Sequence, residues 1–264
     1  MNHRLWTMVY SLPATMDKIL SKDVPETVFL ASFKTLADMK LTYYGHSCFQ
    51  VEVKGKKILF DPFISFNELA KDIDVTSIET DYIFLSHGHS DHIIDTVAIA
   101  KRTGCTVVAS WEIHEWLNKQ GLSKMHPMNT GGKWSFDFGV VKCVVAQHSS
   151  SLPDGSYGGN PMGFLFMTAE GNFYYSGDTA LTLDMQLIPS WTKLDFSVLS
   201  LGDNFTMDVA DAVRCADFVQ CNRVVGVHYN TFGFIKIDTE AAQQSFAAAG
   251  KELFLPDIGA SIDL

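Results

Sequence analysis

The feature that most constrains this chain is an apolar strand that runs straight into a cluster of metal-ligand side chains. Residues 81–86 read DYIFLS and residues 87–92 read HGHSDH, so four of the six residues after the strand are His or Asp. A loop leaving a strand end suits such chemistry, because the sheet holds it rigidly while its backbone is free to turn. Gly88 permits the turn. The i, i+2 spacing can send His87 and His89 to one ion while Asp91 and His92 face another. One loop cannot complete two coordination shells, so further ligands must come from other strand ends. His148 closes VVKCVVAQH, Asp178 closes NFYYSGD and His228 closes VVGVH, each the first ionisable side chain after an apolar run. Alone, each would be an ordinary loop or capping residue; together they repeat one placement.

The rest of the pattern is that of an α/β chain. LTYYG, CFQVEV and KKILFDP read as short strands with a turn at Gly55. DYIFLS, the helical HIIDTVAIAKRTG and CTVVAS form a β-α-β unit, followed by the helix WEIHEWLNKQG ending at Gly121. Strands are expected at WSFDF, VVKCVVAQH, GFLFMT and NFYYSGD, and residues 181–191 are mixed. The chain closes with the strand FSVLSLG, the helix DVADAVRCADFVQ, the strand VVGVH and the helix TEAAQQSFAAAG. Strand hairpins first and alternating strands and helices later imply two sheets packed face to face with helices outside, a four-layer αββα sandwich. Residues 39–264 form this domain. Residues 1–38, with Pro13 and Pro25, read as an appended segment with a short helix near Asp17–Leu20.

Composition narrows the function. The chain has 264 residues, and 30 acidic against 20 basic side chains give a net charge of −10, which repels nucleic acid and anionic membranes. The five cysteines form no C-x-x-C pair and are odd in number, which fits a reducing, cytoplasmic setting. No run reaches the roughly 20 apolar residues needed to span a bilayer. Pro13 and the lack of a small-x-small cleavage pattern argue against a signal peptide.

The ordered set H-x-H-x-D-H, His, G-D-T, His resembles the metallo-β-lactamase-like superfamily over residues 39–264. YYGHSCF, KKILFDPFI, GDNFTM and HYNTF are similar, more narrowly, to a widespread family of metal-dependent hydrolases related to L-ascorbate-6-phosphate lactonases and, more remotely, to phospholipase-D-like phosphodiesterases. The resemblance implies that His87, His89 and His148 hold a first metal, that Asp91, His92 and His228 hold a second, and that Asp178 bridges them. Enzymes that destroy β-lactams commonly carry Cys where Asp178 stands, so the superfamily's name does not define the substrate.

All seven ligands are imidazole or carboxylate, a set that suits zinc first and manganese second. Two such ions, roughly 3.5 to 4 Å apart, acidify a shared water to a pKa near 7 and deliver hydroxide to a substrate. The ions, two carboxylates and hydroxide sum to about +1, a local attraction for an anionic small molecule. The expected reaction is hydrolysis of an ester, lactone, amide or phosphodiester, with Asp91 orienting the nucleophile or carrying its proton and His46 contacting the leaving group. Asp61, in LFDP, is expected to brace the metal loop, and Asp203, Asn204, Asn230 and Thr231 to line the substrate pocket. His3, His114 and His126 lack partners at ligand spacing. A glycine-rich stretch at Ser149–Gly163 reads as a loop over the site. Three other readings stand beside this one: a non-catalytic metal-binding scaffold, a nuclease-type phosphodiesterase, which a charge of −10 disfavours, and an oxygen-using di-iron enzyme, whose carboxylate-rich loop is absent. Homo-oligomerisation through residues 1–38 stays open.

Overall fold

An apolar strand buried on both faces sends alternate side chains to opposite sides of its sheet, and that alternation builds this molecule. The structure, a computed structural model, describes residues 39–264; the appended segment 1–38 and its expected helix lie outside the described residues. Strands β1 (Lys40–Gly45), β2 (Cys48–Val53), β3 (Lys56–Phe60), β4 (Tyr82–Phe84), β5 (Thr106–Ala109) and β6 (Met125–Pro127) lie side by side in chain order. The second sheet takes β7 (Lys133–Ser135), β8 (Gly139–Val145), β9 (Met162–Thr168), β10 (Asn172–Tyr175), β11 (Phe196–Ser200), β12 (Arg223–Val227) and β13 (Glu252–Phe254). The last strand, β14 (Ser261–Asp263), returns to pair with β1, so both sheets have seven strands.

Each sheet has an antiparallel half and a parallel half. Pairing is antiparallel from β14 to β3 and parallel from β3 to β6; in the second sheet it is antiparallel from β7 to β10 and parallel from β10 to β13. Phe60 and Phe84 meet Phe164, Phe166, Phe173 and Phe196 in a core shared by the two sheets. Leu59, Ile83 and Leu85 face the other way, under helices α2 (Thr96–Thr103) and α3 (Trp111–Lys119). Tyr174 and Leu199 likewise pack beneath α4 (Val209–Phe218) and α5 (Thr239–Ala248). The four layers are those of the αββα sandwich expected from the strand pattern.

Local sequence sets the helix ends. Ser110, Asp208 and Asp238 accept backbone N–H bonds at the starts of α3, α4 and α5. Past the end of α3, Gly121 and Leu122 donate to Asn118 and Leu117, the bond pair of a glycine-terminated helix.

Four details differ from the sequence reading. The helix expected over residues 92–104 is broken into α1 (Ser90–Ile93) and α2, because the buried Asp95 carboxylate between them accepts the backbone N–H groups of Ile64 at 2.6 Å and Ser65 at 3.0 Å. WSFDF keeps only a three-residue strand, since Phe136 and Gly139 exchange turn hydrogen bonds that end the ladder. Residues 183–190 form a 3₁₀ helix, and β6, β13 and β14 are short strands absent from the sequence reading.

Candidate metal centre

The segments that follow β4, β8, β10 and β12 converge at one end of the sandwich. Donor atoms of His87, His89 and His148 lie within 4.8 Å of one another, and those of His46, Asp91, His92 and His228 do the same. Asp178 faces both sets. Its Oδ2 is 2.9 Å from His228 Nε2, 3.3 Å from His92 Nε2 and 3.8 Å from His148 Nε2. Within the first set, His87 Nε2 and His89 Nδ1 are 2.9 Å apart. Six of the nine histidines in the chain thus cluster around Asp91 and Asp178.

Asp61 braces this cluster from beneath. Its carboxylate is fully buried and accepts from Ser86 N at 2.7 Å, Ser86 Oγ at 2.5 Å, Tyr175 OH at 2.6 Å and His92 Nδ1 at 2.9 Å. A hydroxyl has one proton, and Ser86 gives it to Asp61; its oxygen then accepts from His87 Nδ1 at 2.9 Å. Both imidazoles therefore carry a proton on Nδ1 and turn Nε2 toward the pocket. One histidine of each set is oriented by the same carboxylate. Ser86 and Tyr175 were not singled out from sequence, because each is embedded in an apolar run where it reads as core.

The strand ends reach the site through strained backbone. Left-handed φ angles occur at His46 (53°), Asp61 (40°), Asp203 (61°), Asn204 (51°), His228 (58°) and Asn230 (60°). Non-glycine residues adopt this region at a cost, and they persist in it where surrounding contacts hold them. Here the His46 carbonyl accepts from the backbone N–H of His228 at 2.9 Å and from Tyr43 OH at 3.1 Å, which ties the two sheets together beside the site.

Burial, with the neighbouring His92, holds His87 well below the usual imidazole pKa; burial also lowers His89 and His148, and takes His46 down to about 4. His92 differs. Burial opposes its charge, but the Asp178, Asp61 and Asp91 carboxylates outweigh burial and raise its pKa well above the usual value. Burial likewise opposes ionisation of Asp178, yet His228 and His92 hold its pKa well down. His92 Nε2 and Asp178 Oδ1 are buried without hydrogen-bond partners, an arrangement that costs free energy in a protein-only pocket. A divalent cation suits both atoms, and the all-imidazole and carboxylate set matches the ligand types of zinc, manganese and iron.

The remaining residues singled out from sequence divide into three places. His46 Nε2 lies 3.1 Å from Asp91 Oδ2, and its Nδ1 lies 3.1 Å from Thr231 Oγ1. Thr231 and Asn230 line a cavity of about 310 Å³ behind His46. Asp203 lines a separate cleft beside α4 and α5, Asn204 is exposed, and the side chain their loop sends to the metal pocket is Phe205. His114 stacks on Trp111 and His126 packs against Trp134, away from the cluster. The stretch 149–163 does approach the site, and it is pinned there: Ser150 Oγ accepts from Gly88 N at 3.0 Å, and the Gly158 carbonyl accepts from Ser110 Oγ at 2.8 Å.

The fold and the cluster agree with what the chain is similar to. Residues 56–229 match the β-lactamase superfamily domain. A metal-dependent hydrolase of the UPF0173 family from Christiangramia forsetii is 50% identical over 227 residues, which takes in 86% of this chain and all of that protein. One from Flavobacterium johnsoniae is 50% identical over 226 residues, with the same shares. Among solved structures, the metallo hydrolase Igni18 from Ignicoccus hospitalis is 31% identical with a TM-score of 0.77, covering 86% of this chain and 98% of that one. This chain belongs to the metallo-β-lactamase superfamily and, within it, to the UPF0173 family of metal-dependent hydrolases. No helix among the described residues is long and apolar enough to cross a membrane.

Proposed function

We propose that this hydrolase works on a small ester or lactone with two divalent ions, zinc by first preference and manganese by second. His87, His89 and His148 would hold one ion and Asp91, His92 and His228 the other, with Asp178 between them. The observation that carries this reading is the single Asp178 oxygen lying within 3.8 Å of histidines from both sets. Bound ions of this kind acidify water, so that a hydroxide nucleophile is available near neutral pH.

The protein's own groups have distinct roles in this reading. Asp61 and Ser86 fix the proton of His87 and of His92 on Nδ1. His46 lies 3.1 Å from Asp91, and with its Nε2 proton donated there it sets the direction of that carboxylate. Asp91 is partly exposed to the pocket, where a carboxylate oxygen can accept a proton from attacking water. His46 is fully buried and acts through Asp91, so its role is positioning rather than contact with a leaving group. All five cysteines are free, which supports a reducing, cytoplasmic setting.

The test is metal analysis of protein purified without chelator, joined to hydrolysis assays. Close to two ions per chain are expected. Asp178→Ala should lose both metal content and hydrolysis, by a factor of at least about 100 in rate if two coordination shells are broken. Protein that is native, active and free of metal would overturn the reading.

A further inference from the structure

Among the described residues, the metal pocket has an exposed aromatic pair at its edge and no basic side chain in its lining. The pocket, about 320 Å³, is walled by His89, Asp91, His148, Asp178 and His228 together with Ser149 and Phe205. Phe205 is 51% exposed, and its ring centroid lies 6.3 Å from Phe234, which is 77% exposed. Deeper in the protein, the buried Phe63 and the partly exposed Phe232 pack edge-on against the buried His46 at 5.5 and 5.2 Å. Single exposed aromatics are ordinary, whereas an exposed pair with one ring lining a concave polar site marks a surface that binds apolar groups.

Charge points the same way. Neither this pocket nor the adjoining cavity behind His46 is lined by Lys or Arg. Arg214 and Lys236 line the separate cleft, in company with Asp203, Asp208 and Asp238. Phosphate and carboxylate handles are normally held by an Arg fork or a Lys, and among the described residues neither lines these two cavities. The positive charge that bound ions bring is then left for the oxyanion that develops at the scissile group.

We propose that the substrate is a neutral ester or lactone carrying an aryl or alkyl substituent, and that Phe205 and Phe234 receive that substituent and determine specificity. This rests on the hydrolytic reading above. It replaces the anionic handle expected from the site's charge sum with an apolar one. A phosphorylated lactone is then expected to be the poorer substrate.

The experiment uses the full chain loaded with zinc or manganese and three γ-butyrolactones: unsubstituted, hexyl-substituted and phosphomethyl-substituted. The hexyl compound is expected to exceed both others by at least about 30-fold in kcat/KM, since its chain leaves water on binding. Phe205→Ala and Phe234→Ala, both at exposed positions, should each raise KM for the hexyl lactone by about tenfold and shrink its advantage over the unsubstituted ring accordingly. Preference for the phosphomethyl lactone, or an unaltered hexyl preference in both variants, would overturn the proposal. Should metal-loaded protein open none of the rings, the lactone part of the hydrolytic reading fails by itself. Calorimetric binding of the ring-opened hexyl hydroxy acid then decides the rim separately: about tenfold weaker binding by the variants upholds it, and equal binding overturns it.

Discussion

At the scale of single residues, Asp61 has the widest reach. It touches no member of the pocket except His92, yet through Ser86 it also fixes the proton on His87. Asp61→Asn replaces an acceptor by a group whose amide nitrogen donates, so at least one of the four donors now facing it loses its partner. Metal affinity is expected to fall by about 10–100-fold. Titration against a chromophoric chelator measures it, with circular dichroism as the check that the sandwich is intact; wild-type affinity in this variant would remove Asp61 from the site. Tyr175→Phe removes one donor while leaving both histidine bonds, so its effect should be smaller. The contrast also explains what was readable in the sequence. His87, His89, Asp91, His92, His148, Asp178 and His228 each interrupt or end an apolar run and stand out by type. Ser86 and Tyr175 act through side-chain contacts to a residue 25 and 114 positions distant, and no local pattern encodes such a contact.

Among elements, the strands of both sheet centres were legible because their apolar runs are buried on two faces. The short strands β6, β13 and β14 have three residues each, are only partly buried, and exist because a neighbour's ladder extends to them. The break between α1 and α2 has the same kind of cause. Nothing local forbids a continuous helix through Asp95; the 62–65 segment imposes the break by donating two backbone N–H groups to its carboxylate. That break matters to the site, because α1 carries Asp91 and His92 and must end before α2 can take its own direction. Asp95→Ala is expected to cost about 2–3 kcal/mol, since the buried Ile64 N–H and the part-buried Ser65 N–H lose a charged acceptor. Urea unfolding would report it as a lower midpoint with an unchanged slope. A loss below about 0.5 kcal/mol would mean that the helix break is stable without its anchor. Backbone packing adds a second control at His228: a Cβ on Gly202 would collide with the His228 carbonyl oxygen, so Gly202→Ala should displace that histidine.

For the whole molecule, the candidate ligands come from both halves of the sandwich. His87, His89, Asp91 and His92 follow β4 of the first sheet, whereas His148, Asp178 and His228 follow strands of the second. Ions held among them would join the two sheets at one end, adding to the aromatic core that joins them throughout, where Phe84 and Phe60 of the first sheet set their edges against Phe166 of the second at 5.0 and 5.4 Å. Binding to the folded state alone stabilises it by about 2.7 kcal/mol when free metal is 100 times the dissociation constant. For a domain of this size that is about 5–10 °C in Tm. Scanning calorimetry in EDTA and in excess zinc should therefore differ by that amount, the metal-loaded protein melting higher. Asp178→Ala should narrow the gap, because the carboxylate facing both sets of ligands is gone. Phe60→Ala provides the opposite signature: a core cavity costing about 3–5 kcal/mol lowers Tm equally with and without metal, so the gap persists. Equal melting of the wild-type chain in both solutions would show that the cluster does not link the sheets through an ion, whatever its role in catalysis.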